Sequence, residues 1–424
     1  MSQLLADDTG SVGSSEGRSW HLATMIAAVI VLVLLGWRQQ VYHGVTLGYI
    51  AALLLLPVWL PALRKYQGYV GMFLVAFAAL LSGFVLLFFN INNHQLDNSK
   101  LIINPVLLVG MMLTVGVVLW ARTLMPNMAV GISYGVGMLL GVRGTADVHI
   151  NPWKFGYSLP VIVLILCMAS LVGARGSRTA RWPELVSLMV LAVYSALNDS
   201  RSLFAMLSLT AVLVIWQKMP RGRSRKKALT TTVLAGTAAL LIIYGVGSNL
   251  LVGGFLGVAA QQRSIAQIES AGFLLLGGRP ELAASAALFR WNPFGFGVGV
   301  VPSLEDIAVA KTGMLAINYE PNNGYVERYM FGSQFELHSV AGDLWVYFGL
   351  IGLLLAGMMG WRLIHWILNS IVARNGSAVV LFLSIITLWN IMFSPLYSSV
   401  TIMGLALGMA ALSKVDPKMG TQWR

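Results

Sequence analysis

The chain has 424 residues, 57% of them hydrophobic and only 10% charged, with a net charge of +12. Soluble domains carry about 25% charged residues, so this composition excludes an ordinary soluble fold. The cations cluster in short segments between apolar runs, and no basic patch there has interleaved aromatics, so the charge reads as a topology signal and not as nucleic-acid binding.

Residues 1–19 are polar and Gly/Ser-rich and predict a disordered cytoplasmic amino terminus, with no small-residue cleavage site after the first apolar run. Apolar runs of about 18 to 22 residues then recur, each long enough to cross roughly 30 Å of hydrocarbon. About twelve spans are expected, near 20–37, 44–62, 68–90, 101–120, 123–142, 156–174, 183–198, 202–217, 229–249, 338–360, 376–394 and 396–412. The fourth and fifth are separated only by Ala121-Arg122, and the last two by Ser394-Pro395. The predicted fold is all-α: a polytopic helical bundle over 20–249 and 338–413, a long extracytoplasmic loop at 250–337, and a cytoplasmic tail from 414. Cys167, the single cysteine, lies in an apolar run, which excludes a disulfide framework and a cysteine metal site within one chain.

Lys and Arg placement sets the orientation. With the amino terminus inside, the cytoplasmic loops hold Arg64, Lys65, Arg122, Arg175, Arg178, Arg181, the cluster from Lys218 to Lys227, Arg362 and Arg374. The alternate loops hold only Arg38, Lys100, Arg143, Lys154 and Arg201 before the long loop. This asymmetry fits an even span count with both termini cytoplasmic. The long loop, 250–337, carries seven of the sixteen acidic residues, an apolar start, and amphipathic stretches near 263–275 and 279–291. Helices lying partly in the interface are expected there, not a free globular domain. Its Gly-rich turn, Gly295 to Val300, follows no strand and precedes no Lys-Ser/Thr, so it is not a phosphate cradle.

No acidic residue sits in the middle of a predicted span, whereas proton- or ion-coupled transporters usually need one there. Arg201 lies in an outer turn, either as a snorkelling helix-end cation or as a bidentate phosphate ligand. Arg279 and Arg290 are eleven residues apart, about three helical turns, and would project from one face. The plainer alternative is a solvated face with Arg pairing Glu281. His338 opens the tenth span just after the long loop, where an imidazole can exchange a proton with a lipid-anchored substrate. His21, His43, His94, His149 and His365 are scattered and read as structural, and no cluster has metal-ligand spacing. Asn322, Asn323, Tyr325 and Arg328, with Lys311, offer planar amides and aromatic faces to sugar hydroxyls, or are simply solvated loop residues.

Three elements in this order resemble the O-antigen ligase and polymerase superfamily. They are Ser200-Arg201-Ser202 in a short outer turn; Arg279 followed by Asn292-Pro293 and Gly295-Phe296-Gly297; and His338 at the end of the long loop, followed by Gly349-Leu350-Ile351-Gly352. The expected topology matches as well. The chain departs from that family at Ser339, where Asn commonly follows the His, and at Tyr347, where a Glu often precedes the Gly-x-x-Gly. The resemblance implies a bacterial inner-membrane glycosyltransferase, metal-independent, inverting and without a cofactor. Its donor would be a polyprenyl-diphosphate-linked glycan and its acceptor a glycan, lipid or protein hydroxyl. Arg201, Arg279 and Arg290 would hold the diphosphate and His338 would be the base. Ligase and polymerase remain equally open. A flippase of lipid-linked glycans and a non-catalytic envelope-assembly protein are the competing readings.

Overall fold

The computed structural model describes residues 12–175, 181–218, 225–254, 257–258, 261–262, 265, 268 and 279–414. Helix makes up 77% of the chain. In chain order the elements are α1 (Val12–Trp37), a hairpin of β1 (Gln40–Tyr42) and β2 (Val45–Thr46), α2 (Leu47–Leu54), α3 (Leu56–Trp59), α4 (Tyr69–Asn90), α5 (Asn98–Ala121) and α6 (Asn127–Leu140). Next come α7 (Ala146–Ile150), α8 (Ser158–Arg175), α9 (Trp182–Leu197), α10 (Arg201–Trp216) and α11 (Arg225–Val252). The series ends with α12 (Glu281–Trp291), α13 (Leu304–Leu315), α14 (Val340–Ala373), α15 (Ala378–Phe393) and α16 (Leu396–Met409).

Every predicted apolar run coincides with a helix or a helix pair. Among the described residues six helices are long and apolar enough to cross a membrane, or seven if the pair Leu47–Leu54 and Leu56–Lys65, bent by 63°, is one span. Pro57 lies in the first turn of α3, where a missing N–H and fixed φ break the helix. Five more apolar helices are shorter, at 10–17 residues. The outer face of α4 shows why this surface belongs in lipid: only 22% of its apolar window is buried at a mean hydropathy of 2.6, with Leu74, Phe77 and Phe88 exposed. Apolar surface this continuous is not left in water by a soluble monomer. The core lies around α5 and α15, most of whose side chains are buried.

Some expectations need correction. Helix α1 begins at Val12, so residues 12–19 are helical and not irregular. The long apolar run supplies the nucleus from which helix propagates backward at little cost. Residues 1–11 and the tail from 415, with Arg178 and most of the 263–275 stretch, lie outside the described residues. The tenth span runs on to Ala373, so Arg362 is inside helix α14 and not in a loop.

Helix α14 is also not one straight rod. Gly349 has φ 68° and ψ −157°, a conformation essentially reserved for glycine. The carbonyl of Leu344 lies against Gly352, although eight residues of straight helix span about 12 Å, so the helix is sharply kinked at Gly349. The break removes the helical partner of the Val346 carbonyl. The backbone N–H groups of Phe296 and Gly297 take its place, at 2.9 and 3.0 Å. The Gly-rich turn is thus wedged between α4 and α14, with Val298 N–H on the Gly83 carbonyl and the Trp345 indole on the Pro293 carbonyl. Phe296, Val298 and Val300 are fully buried there. The turn holds protein backbone.

Contacts sort the described cations into two ends. At one, Arg122 donates to Gly408 and Ala411, Arg362 to Gln67, and Arg181 to Gly376. At the other, Arg38 donates to Tyr397, Arg143 donates to the Arg38 carbonyl, and Lys154 pairs with Asp199. The same two groups emerge from Lys and Arg counting along the sequence.

A side chain at Gly349 would meet the Phe294 carbonyl at 2.7 Å and a forbidden backbone conformation. Gly349→Ala is expected to lose about 1–3 kcal/mol from backbone strain alone. Thermal unfolding in detergent checks this; an unchanged Tm contradicts the break as described.

Candidate functional site

His338 is pinned from both sides. Ser339 caps α14, accepting from Gly342 N–H and donating its hydroxyl to the Ile391 carbonyl of α15 at 2.9 Å. Asp343, 2% exposed, accepts from Leu337 N–H at 3.0 Å and from Leu396 N–H at 2.7 Å. One carboxylate therefore ties the His338 segment to the turn between α15 and α16. His338 itself has φ 50°, in the left-handed region, where His is enriched among non-glycine residues. Its Nδ1 lies 3.2 Å from the Glu336 carbonyl oxygen. A carbonyl only accepts, so in the neutral ring the proton sits on Nδ1 and the Nε2 lone pair is left for chemistry.

Tyr325 lies against the imidazole, with ring centroids 6.3 Å apart. Its hydroxyl donates to Glu281 at the start of α12. Burial pushes the Tyr325 phenol up, and the Glu281 carboxylate reinforces this while Arg279 opposes it. The phenol therefore stays protonated and remains a donor. Arg279 precedes α12, where Pro280 caps the helix, and its guanidinium sits 5.7 Å from the Phe393 ring and 5.9 Å from Trp389. Aromatic faces attract a guanidinium and hold it without neutralising it. His338, Tyr325, Glu281 and Arg279 thus converge where the long loop meets the ends of α14 and α15.

Arg201 starts α10, which packs directly on α15. The two helices have 16 residues each and are joined at one end by Gln217 and Gly376. Equal rise brings Arg201 level with Phe393, at the same end of the bundle as Arg279. It pairs with Asp199 of its own turn at 3.4 Å, a carboxylate that also lies 3.6 Å from Lys154.

Three placements differ from the sequence reading. Arg279 and Arg290 do not project from one helical face, because Pro280 starts the helix and leaves Arg279 outside it. Arg290 is exposed in the last turn of α12, nine residues along from Glu281, and does not join the cluster. Glu281 is engaged by Tyr325. Asn322 and Asn323 are exposed and stitch the loop together, receiving Lys311 and donating to Tyr319, respectively. Lys311 also bonds Glu327 and holds its carboxyl below the usual carboxylate range. Arg328 is exposed in the Val326–Met330 turn. Only Tyr325 of the four proposed sugar contacts reaches the imidazole.

Two residues were missed in the sequence. Glu281, 4% exposed, brings a buried carboxylate to the cluster, and its Oε2 has no partner among the described residues. Its position two residues after Arg279 is the only signal the sequence offers. Asp343 was read merely as a span-end acid. The departures also gain roles: Ser339 caps α14, and Tyr347 donates its hydroxyl to the Phe335 carbonyl, anchoring the strand of chain that leads to His338. Among the described residues no group of three or more His, Cys, Asp or Glu side chains is placed to hold a metal ion. No protein-family model, curated protein or solved structure matches the chain.

Removing the Asp343 carboxylate strands two buried N–H groups, each at a cost of about 1–3 kcal/mol. Asp343→Ala is expected to lower Tm strongly, and Asp343→Asn, which keeps one acceptor oxygen, to fall between. Equal Tm for Asp343→Ala and the parent contradicts the clamp.

Proposed function

We propose that the protein is a membrane glycosyltransferase of the O-antigen ligase or polymerase type. It moves a glycan from a polyprenyl-diphosphate carrier to an acceptor hydroxyl at the outer face of a bacterial cytoplasmic membrane, with twelve spans and both termini inside. The observation that carries this reading is the convergence of Arg279, Tyr325, Glu281 and His338 at one end of an apolar bundle, with Arg201 level with them.

The chemistry follows from the charges. The acceptor oxygen attacks the anomeric carbon on the face opposite the diphosphate, the carbon–oxygen bond to the carrier breaks, and the anomeric configuration inverts. Negative charge grows on the departing diphosphate. Arg201 and Arg279 neutralise it, and because Arg279 is held by rings and not by a carboxylate, its charge is available for phosphate. His338 Nε2 takes the acceptor proton. The neighbouring phenol of Tyr325 steadies the imidazole and keeps Glu281 away from it by binding that carboxylate itself. The apolar helix faces beside the site give the polyprenyl chain a hydrocarbon-facing approach.

The test uses purified protein in nanodiscs with a lipid-linked donor. Arg279→Ala and Arg201→Ala are expected to abolish transfer while remaining monodisperse and helical. His338→Ala is expected to lose roughly 10²–10⁴ in turnover, the usual contribution of a general base, and to retain carrier binding. Full turnover in the arginine variants removes the carrier clamp, and wild-type turnover in His338→Ala removes the base.

A further inference from the structure

A second polar site lies at the same end of the bundle, away from His338. It is a cleft of 950 Å³ walled by the end of α4 and the segment after it (Asn90, Asn93, His94), the end of α12 (Trp291) and the start of α13 (Glu305, Asp306). Among the described residues no Lys or Arg lines it, and two carboxylates do. That charge balance repels a diphosphate. The side chains that remain are those that serve hydroxyl-rich, uncharged ligands: amides that both donate and accept, and an indole that is 51% exposed and offers a flat apolar face.

The cleft is also built, not merely open. Asp306 closes a capping box with Ser303 and accepts from its N–H and hydroxyl at 2.8 and 2.7 Å. The same carboxylate oxygen holds His94 Nε2 at 3.0 Å, and the imidazole stands edge-on to buried Phe296 at 5.7 Å. His94 Nδ1 is buried and has no hydrogen-bond partner among the described residues. With the Nε2 proton given to Asp306, Nδ1 of the neutral ring is an acceptor awaiting a donor. Buried polar atoms are rarely left so, and a ligand hydroxyl satisfies it.

We propose that this cleft binds a neutral saccharide chain. Helix α12 connects it to the transfer cluster: Glu281 contacts Tyr325 at one end, and Trp291 lines the cleft at the other, ten residues or about 15 Å along. That spacing calls for an oligosaccharide and not a single sugar. Its assignment as the non-reacting part of the transferred or accepting glycan rests on the transfer reading above; the binding itself does not.

The experiment presents the full-length protein in nanodiscs with free neutral tri- to hexasaccharides of hexoses and N-acetylhexosamines, carrying no lipid or phosphate, and with uronic-acid counterparts. Saturation-transfer NMR reports binding, and transfer from a lipid-linked donor is measured on the same preparations. Trp291 and Asn93 are exposed, so Trp291→Ala and Asn93→Ala leave the fold intact. Wild type is expected to bind at least one neutral oligosaccharide and not its acidic counterpart. Trp291→Ala should weaken that binding about tenfold, equivalent to about 1.4 kcal/mol. No neutral ligand for the wild type, binding indifferent to both substitutions, or preference for the acidic chains overturns the cleft assignment, even where transfer proceeds. Trp291-dependent binding with no transfer by the wild type leaves the cleft standing and overturns the transferase reading instead.

Discussion

A backbone carbonyl released inside an apolar bundle must find a new donor, and this fold is organised around one such release. The break at Gly349 frees the Val346 carbonyl, and two N–H groups of the Gly-rich turn claim it. In hydrocarbon an unpaired carbonyl costs several kcal/mol, so the exchange docks the long loop on the bundle as firmly as any side-chain contact. Everything distal follows from that docking. Helix α12 is held beside α14 by Phe289 on Trp345, and its first residue meets Tyr325. The Asp343 carboxylate then closes the second link, from the His338 segment to the α15–α16 turn.

Rigidity and reactivity are divided between neighbouring residues. Ser339, Asp343 and Tyr347 spend their polar groups on backbone and leave the adjacent imidazole with one engaged nitrogen and one lone pair. The arginines are divided too. Those at the opposite end are consumed by helix-terminal carbonyls, as Arg122 and Arg181 are, whereas Arg279 rests on aromatic rings. A guanidinium held by ring faces keeps its donors for a phosphate-like partner. The polar cleft along α12 has the reverse character, amide-rich and, among the described residues, without Lys or Arg. Charge thus separates the end of the bundle into a region suited to an anionic head and a region suited to its uncharged extension.

Much of the architecture was legible in the sequence because apolar run length is a local property. The helices of each predicted span appear, and the turn at Ser394-Pro395 falls where proline dictates it. Lys and Arg counting separated the two ends before any contact was known. What stayed hidden is non-local. The kink at Gly349 is matched to a loop some fifty residues earlier in the chain, and hydropathy reads the helix as continuous. Helical spacing misled for Arg279 and Arg290 because Pro280 caps the helix, which begins two residues later than the amphipathic pattern suggested. Glu281 entered the sequence reading only as a partner for an arginine on a solvated face, and its meeting with Tyr325, forty-four residues away, is written only in the fold.

The most direct measurement is a cryo-EM structure of the protein in nanodiscs with a polyprenyl diphosphate bound. The account predicts phosphate density within hydrogen-bond reach of both Arg279 and Arg201, with His338 Nε2 opening onto the same space. Density elsewhere, or the two guanidinium groups turned into separate surroundings, would contradict it.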